Sequence, residues 1–379
     1  MKLILVLMTL SHLFADLYAG FLSPLLPVIM DKFTLDTSQI TWLVSLIGFI
    51  TSFAQPIFGY ISDRTDPFKF VFISVLLVFI SSPMIGIVPS FSVLVAVLFV
   101  SRLSNSAFHP SASGIMGTYT GSAFKMAVFS VGGAVGSALA PITISGMVSA
   151  MGLESTWLLV FPGIALILVY LFVTKKHIRM NPVSKDRKLL PSWKNLRKLK
   201  NIWAIVSIRS LVMTLLNTYA PIYLVSVKNK SLVESGLLLT IGLFAGSFGN
   251  MIGGLLYNKL SFKTMNLIHF IAVIPVIILF VSTDNYFVLM GSFALMDFFL
   301  HLTMGTNIVA AQSIMPKDKS IAASIAMGFS WGTGMLLFMV YGVFSQYIDI
   351  RASFLTMIPV LILGAVISFM VKKKPKEMV

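Results

Sequence analysis

Long apolar stretches follow one another along almost the whole chain, and they constrain the fold more than any other feature. Most of them reach or exceed the roughly 20 residues that a helix needs to cross the hydrocarbon core of a bilayer. Only 11% of the 379 residues are charged, against about a quarter in a water-soluble domain. The sequence therefore predicts an all-α integral membrane protein with twelve transmembrane helices. The predicted spans are residues 3–30, 39–62, 70–88, 92–117, 124–148, 156–174, 202–225, 235–257, 265–281, 286–312, 320–346 and 351–371.

The basic residues are distributed unevenly between the two sets of loops that these spans define. Of the 28 Lys and Arg, 22 fall on the side of the N-terminus, 4 on the other side and 2 inside spans. Loops rich in Lys and Arg stay in the cytoplasm, so we expect a multi-pass protein of the cell (inner) membrane with both termini cytoplasmic. This placement accounts for the net charge of +15 without a nucleic-acid partner.

The longest polar stretch follows the sixth span and divides the chain into six spans plus six. The predicted units are an N-terminal six-helix bundle at 1–174, a cytoplasmic basic linker at 175–200 and a C-terminal six-helix bundle at 201–379. A weak repeat supports two pseudo-symmetric halves, because Gly59 and Asp63 end the second span as Gly254 and Asn258 end the eighth. Paired halves of this kind are the architecture of large secondary transporters.

The end of the linker has the spacing of a short helix. Trp193, Leu196 and Leu199 fall near one helical face, among basic residues. A basic helix lying along the anionic inner leaflet would fit this pattern, and so would a solvated linker.

Four ionisable residues lie well inside predicted spans: Asp16, Arg102, Arg209 and Asp297, one each on spans 1, 4, 7 and 10. A charge at the bilayer centre costs about 2.5–3.5 kcal/mol on insertion scales, so each needs a function or a partner. These spans hold equivalent positions in a chain of three-helix units. The four charges are therefore expected to converge on one central site.

Polar neighbours share the helical faces of these charges. An imidazole one turn from a carboxylate, away from bulk water, has a protonation state that responds to small changes in solvation and charge. The predicted proton-coupling residues are Asp16, Arg102 and His12. The predicted substrate cavity is lined by Asn105, His109, Arg209, Asn217, Asp297 and His301.

Each of these residues also has a structural interpretation. Asp16 and Arg102 could form a buried pair that only sets helix register, and His12 could only orient Asp16. Arg209 begins within two turns of a helix end and could extend to lipid phosphate. His269, also near a helix end, is expected at the membrane interface.

The fifth span is rich in small residues. Gly132, Gly133 and Gly136 precede Pro141, a pattern that allows close helix approach and a bend. This helix-packing segment could be a pivot between inward-open and outward-open states, or a static tight contact.

Four short segments carry a family resemblance. They are His12-Leu-Phe-Ala-Asp16, the run from Gln55 to Arg64, Ala107-Phe-His-Pro110, and the run from Val131 to Pro141. In these segments the chain resembles the major facilitator superfamily, and more narrowly its fosmidomycin-resistance-like branch. The resemblance implies the major facilitator fold, with two six-helix halves and transport by alternating access.

The resemblance also implies roles for individual residues. Gly59, Asp63 and Arg64 match the loop signature that latches the two halves in one conformation. Arg102 stands where many proton-coupled drug exporters have an arginine that faces an acid on the first helix, here Asp16. The glycines of the fifth span resemble the antiporter motif of that helix.

Together these features predict a proton-coupled secondary transporter of small organic molecules, most directly a drug or metabolite:H⁺ antiporter that works in efflux. One alternative is proton-coupled uptake of an organic anion, a carboxylate or phosphonate, with Arg102 and Arg209 as anchors. The other is a non-transporting membrane receptor or enzyme. We find no catalytic, metal or cofactor motif, so the chain is expected to be no enzyme and to need no cofactor. The expected partners are a small-molecule substrate, protons and the lipid bilayer, with the protein a monomer.

Overall fold

The computed structural model is built from helices that run the thickness of a membrane. It describes residues 2–62, 64–120, 123–174, 193–257, 259–316 and 319–371, and no β-strand occurs among them. Twelve helices in this part of the chain are long and apolar enough to span a bilayer. They are α1 (Leu3–Phe33), α2 (Thr37–Ser62), α3 (Pro67–Gly86), α4 (Phe91–Gly117), α5 (Lys125–Met151), α6 (Leu153–Thr174), α7 (Lys200–Ser226), α8 (Leu232–Leu256), α9 (Phe262–Ser282), α10 (Tyr286–Ile314), α11 (Ile321–Ser345) and α12 (Ile350–Phe369). The predicted all-α fold with twelve spans is confirmed.

Local sequence sets several helix ends. Asp66 accepts a hydrogen bond from the Phe68 N–H at 3.1 Å, and Pro67 opens α3. Ser231 and Glu234 form a reciprocal capping box at the start of α8. These side chains satisfy backbone N–H groups that a helix leaves unpaired in its first turn.

Several of the described spans are not regular α-helices along their whole length, and α1, α10 and α11 are three of them. α1 consists of the helices Lys2–Ala19 and Leu22–Phe33. α10 is broken between His301 and Met304. In α11, residues Ile325–Phe329 form a π-helical turn. Such interruptions take backbone groups out of the regular ladder and are frequent at functional sites.

The spans form two halves with the same internal packing. In the first half α1 packs on α5, α2 on α4, and α3 on both α4 and α6; in the second half α7 packs on α11, α8 on α10, and α9 on both α10 and α12. Thr34 and Asn229, 195 positions apart, are the non-glycine residues with positive φ in the described chain, and each follows the corresponding span, α1 or α7. The two pseudo-symmetric six-helix halves are confirmed.

The contact between the halves follows the same symmetry, since α2 packs on α11 and α5 on α8. We call the end of the bundle that carries Lys2 and Val371 the near end, and the opposite end, with the loops at 34–36 and 227–231, the far end. Within the described residues, every hydrogen bond that joins the halves lies in the far-end part of its spans. These bonds run from Ser23 Oγ to the Asn217 carbonyl, from Ser38 Oγ to the Gly342 carbonyl (2.8 Å), between Thr41 Oγ1 and Tyr219 Oη (2.6 Å), and from the Ile142 N–H to Thr240 Oγ1 (3.2 Å).

A short helix precedes the second half, and we call it the linker helix (Trp193–Lys198). Leu196 and Leu199 are only 8% and 1% exposed, and they belong to one apolar cluster with Ile325 of α11. Protein therefore covers these two side chains, while the basic residues of the helix are exposed, and both interpretations of the linker, at the inner leaflet or in solvent, stay predictions. Residues 175–192 lie outside the described residues, and the predicted limits of the three units stay a prediction.

Candidate functional site

A glycine on α5 makes room for an imidazole of α1. Gly133 lies so close to His12 that a Cβ at this position would overlap the ring. His12 is thereby held one turn from Asp16, and the two side chains are in contact, with His12 Nε2 3.3 Å from Asp16 Oδ2. The i, i+4 pair that the sequence predicted is formed in the folded protein.

The other predicted pivot residues also lie at close contacts. Gly132 and Gly136 face the backbone of α1 with no space for a Cβ. The Pro141 carbonyl accepts a hydrogen bond from Ser145 Oγ at 2.6 Å, beside Gly236 of α8. A tight contact is thus present in this conformation, and the pivot role stays a prediction.

Residues of α4 complete the surroundings of the Asp16 carboxylate. His109 Nε2 lies 3.3 Å from Asp16 Oδ1. Asn105 Nδ2 donates to the same oxygen at 3.4 Å and is equally close to His109 Nε2. The sequence placed Asn105 and His109 in the substrate cavity, whereas in the structure both contact the predicted proton-coupling acid.

The hydrogen bond of His12 limits where a proton can be. Its Nδ1 lies 2.9 Å from the Phe129 carbonyl, which can only accept, so Nδ1 carries a hydrogen. In the neutral imidazole Nε2 then has a bare lone pair, facing a carboxylate oxygen of Asp16. Two lone pairs repel, so the contact is favourable only with a proton between the two atoms. The geometry thus offers a place for one proton on His12 or Asp16.

The exposure of these side chains falls in steps from α4 to α1. The side chain of His109 is 30% exposed, that of Asp16 14% and that of His12 11%. The His12 ring is also packed against Phe108 and Phe129, with centroid distances of 5.6 and 4.4 Å. A proton that arrives from water would therefore meet His109 first and His12 last.

Arg102 is near this group but is not an ion-pair partner of Asp16. Among the described residues, the groups within ion-pair distance of the carboxylate are the two histidines, and Arg102 acts on it only through longer-range electrostatics. The guanidinium lines a cavity of about 10 Å³ with Tyr18, Ser82 and Ser101. That volume suits about one water molecule. The expected direct pair is absent in this conformation.

Asp297 and His301 form a second polar group inside the second half. Asp297 is fully buried, and neither carboxylate oxygen has a hydrogen-bond partner among the described residues. His301 Nδ1 lies 2.8 Å from the Asp297 carbonyl and 3.7 Å from its Oδ1. Gly242 and Gly246 of α8 face Asp297 and His301 without space for a Cβ.

Arg209 and His269 lie close to this second group. Arg209 is 1% exposed, and its Nε and Nη1 find no acceptor among the described residues, so the alternative that it extends to lipid phosphate is wrong. His269 was expected at the interface, but it is fully buried, with Nδ1 3.1 Å from Thr303 Oγ1. Both residues are in electrostatic contact with His301. The four intramembrane charges thus fall in two groups, one in each half, and their convergence on one central site stays a prediction.

Asn217 lies at the contact between the halves. Its side-chain amide bonds back to the Met213 carbonyl at 2.9 Å, while its own carbonyl accepts from Ser23. It is therefore placed beside the far-end junction, and its contact with substrate stays a prediction.

The predicted latch lies at the near end of α2. Arg64 stacks over the Tyr60 ring, with Cζ 3.4 Å from the centroid, and donates to the Tyr60 carbonyl at 3.3 Å. Gly59 faces Pro110 of α4. Asp63 lies outside the described residues, so the latch stays a prediction.

Two contacts that shape this site and the contact between the halves were not predicted from the sequence. The Phe129 carbonyl orients His12, and a backbone acceptor of this kind has no sequence signal. The Thr41–Tyr219 bond joins the halves, and hydroxyl groups on two distant spans give no sign of pairing.

Comparison with known proteins agrees with the fold. The sequence model of the Major Facilitator Superfamily matches residues 8–339. The fosmidomycin resistance protein of Escherichia coli (strain K12) is 21% identical over 351 residues, covering 90% of this chain and 86% of its own length. The uncharacterized MFS-type transporter YfnC of Bacillus subtilis (strain 168) is 20% identical, covering 88% and 84%.

Solved structures with this fold are also transporters. A bacterial homologue of the human lysosomal transporter Spinster, inward-facing and unoccupied, superposes with a TM-score of 0.72 at 14% identity, covering 97% of this chain and 96% of that one. A mutant of the nucleoside transporter NupG superposes with a TM-score of 0.78 at 15% identity, covering 97% and 99%. Twelve spans, two symmetric halves and a family match over most of the chain agree: this protein belongs to the Major Facilitator Superfamily and is a multi-pass membrane transporter, not an enzyme.

Proposed function

We propose that this transporter exchanges a small organic molecule for protons and works in efflux by alternating access. The observation that carries the proposal is the His12–Asp16 contact, which needs a proton between its two atoms. Asp16 is the proposed proton carrier, and His12 orients it. Arg102, close by and unpaired with Asp16, favours the ionised carboxylate when the proton leaves.

Coupling follows from a competition for the same polar atoms. Asn105 and His109 contact Asp16, and His109 is the most exposed member of the group. A substrate that takes hydrogen bonds from Asn105 or His109 removes them from Asp16 and changes the affinity of the carboxylate for a proton. The proposed substrate-contacting residues are Asn105, His109, Arg209, Asn217, Asp297 and His301.

The direction and location rest on the charge pattern. Most basic residues of the sequence fall in the loops and termini on the same side as the N-terminus, so we propose that the near end faces the cytoplasm. Joined at the far end, the halves then represent an inward-open state. In the outward-open state Gly59, Asp63 and Arg64 would latch the near end, with the glycine segment before Pro141 as pivot. The unit of transport is proposed to be the monomer.

Efflux is supported by the name of a relative, the fosmidomycin resistance protein. Proton-coupled uptake of an organic anion is the second candidate, favoured by one observation. Arg209 has two buried nitrogens without an acceptor in the described chain, as expected for a residue that receives an anionic group. The third alternative, a non-transporting membrane receptor or enzyme, is not proposed, because the chain belongs to a family of transporters.

Substrate-induced proton release tests the coupling. Purified protein in weak buffer with a pH-sensitive dye is mixed with a panel of antimicrobial compounds that includes fosmidomycin. We expect the wild type to release protons on binding and Asp16→Asn to bind without release. Asp31→Asn, which removes an exposed carboxylate at the far end of the same span, is the matched control and should still release protons. Proton release by Asp16→Asn, together with uphill transport in vesicles, would place the coupling site elsewhere.

Cellular accumulation separates the two directions. Expression should lower the intracellular level of an exported compound and raise that of an imported anion. Asp16→Asn should abolish either effect, which separates transport from non-specific changes in permeability.

A further inference from the structure

The linker helix and the start of α7 present a one-sided basic surface at the near end of the second half. Lys194, Arg197, Lys198 and Lys200 are all exposed, and we call them the basic face. The acidic residues in the described part of the second half are Glu234, Asp284, Asp297 and Asp349, which lie at the far end or inside the bundle. The basic face therefore has no counter-charge within the described second half.

The opposite side of the linker helix is buried against the protein. Leu196 and Leu199 are buried in the same apolar cluster as Ile325 and Ala326, which belong to the π-helical turn of α11. Six residues are too few to hold a helix by their own propensity, so this packing fixes its position. The orientation of the basic face follows from it.

The same π-helical turn reaches the other half of the protein. The ring of Phe329, its last residue, lies 5.3 Å from that of Phe53 on α2 and 5.5 Å from that of Trp203 on α7. A ligand that holds the linker helix in place would therefore also affect the π-helical turn, which contacts the first half through Phe329.

The position of the basic face identifies its partner. Lys200 is the first residue of the α7 span, so the four charges lie where the polypeptide leaves the bilayer. Phosphates of anionic phospholipids lie at this level and attract basic side chains next to a span.

We propose that the basic face binds anionic phospholipid headgroups, and that this binding holds the linker helix on the π-helical turn and stabilises the near end of α10 and α11. The proposal concerns a site separate from the proton-coupling group and does not depend on which compound is transported. Each charge is expected to change lipid affinity about fivefold.

Short-chain lipids added to the purified full-length protein in a nonionic detergent test the proposal. The additives are dioctanoyl phosphatidylglycerol, dioctanoyl phosphatidylcholine and inorganic phosphate. The readouts are the thermal unfolding midpoint and the hydrogen–deuterium exchange of residues 321–330. The test variant is Lys194→Gln/Arg197→Gln/Lys198→Gln/Lys200→Gln. The control is Lys228→Gln/Lys230→Gln/Arg351→Gln, which removes basic residues at the far end.

Phosphatidylglycerol should raise the midpoint and slow exchange at 321–330 in the wild type and the control, because a ligand that binds only the folded state stabilises it. The test variant, which lacks four charges, should need on the order of 600-fold more of this lipid, and Arg197→Gln or Lys198→Gln alone about fivefold more. If the test variant responded to phosphatidylglycerol as strongly as the wild type, the basic face would not be the lipid-binding site. If inorganic phosphate acted as strongly as phosphatidylglycerol, the ligand would be a free anion and not a lipid. If phosphatidylcholine acted as strongly, the negative charge of the headgroup would not matter, and the proposal would be wrong. If the unfolding midpoint rose without slower exchange at residues 321–330, lipid binding would not stabilise α11, and that part of the proposal would be wrong.

Discussion

Gly133→Ala tests the geometry of His12 and Asp16, the proposed proton-coupling residues, without changing any polar residue. The Cβ of the new alanine would overlap the His12 imidazole, with ring carbons at 2.6 Å. Because Gly133 is buried in the contact between α5 and α1, the ring has to leave its place. Its hydrogen bond to the Phe129 carbonyl and its contact with Asp16 are then lost together.

The expected cost follows from three terms. Overpacking a filled site costs about 1–3 kcal/mol. Leaving the buried Phe129 carbonyl without its donor costs about 1–3 kcal/mol more. The better helix propensity of alanine returns about 1 kcal/mol. The net loss of stability is therefore roughly 1–5 kcal/mol.

The assay compares Gly133→Ala with Gly146→Ala on the same helix, where a Cβ would meet no atom within 4 Å. Gly146→Ala should raise the unfolding midpoint or leave it unchanged, because only helix propensity is affected. Gly133→Ala should lower the midpoint and reduce substrate-induced proton release. If Gly133→Ala were as stable as Gly146→Ala and released protons normally, His12 would not need the position that α5 gives it, and the reasoning would fail.

Three further predictions concern the far-end contact between the halves, the buried acid of the second half and the predicted latch. Tyr219→Phe removes the bond to Thr41 between the halves, worth about 0.5–1.5 kcal/mol, and should increase labelling at the far end about 2- to 12-fold; Tyr223→Phe, whose hydroxyl bonds within its own half, should not. Single introduced cysteines can report this, because the chain has no cysteine. Asp297→Leu should raise stability by about 1–3 kcal/mol while impairing transport, and a loss of stability would reveal a partner for the carboxylate. Asp63→Asn should slow transport in vesicles without abolishing ligand binding, and unchanged turnover would remove the latch role.

The sequence predicted the features that depend on a single helix. Hydropathy defined the spans because each must match the bilayer thickness, and their ends differ from the prediction by only a few residues. The pairing of His12 with Asp16 was predictable because i, i+4 residues share a face whatever the surroundings.

Contacts between helices could not be predicted in the same way. Arg102 and His109 lie on one face of α4, and only the rotation and height of α4 against α1 decide which of them reaches Asp16. His269 lies near a helix end, where exposure was expected, but α9 and α10 meet there and bury it. The apolar residues of the linker helix gave no indication whether protein or lipid would cover them.

The two halves differ in how their buried charges are satisfied, although their folds are symmetric. The shift of 195 residues that relates Thr34 to Asn229 also relates Arg102 to Asp297, so equivalent positions carry opposite charges. Asp16 has polar contacts from His12, His109 and Asn105, whereas Asp297 accepts no hydrogen bond in the described chain. Buried polar groups in stable proteins are nearly always satisfied, so unsatisfied ones call for a partner that is absent from this conformation. We infer a division between the halves, in which the first holds the proton in a preformed site and the second keeps unpaired groups for the substrate or for the opposite conformation.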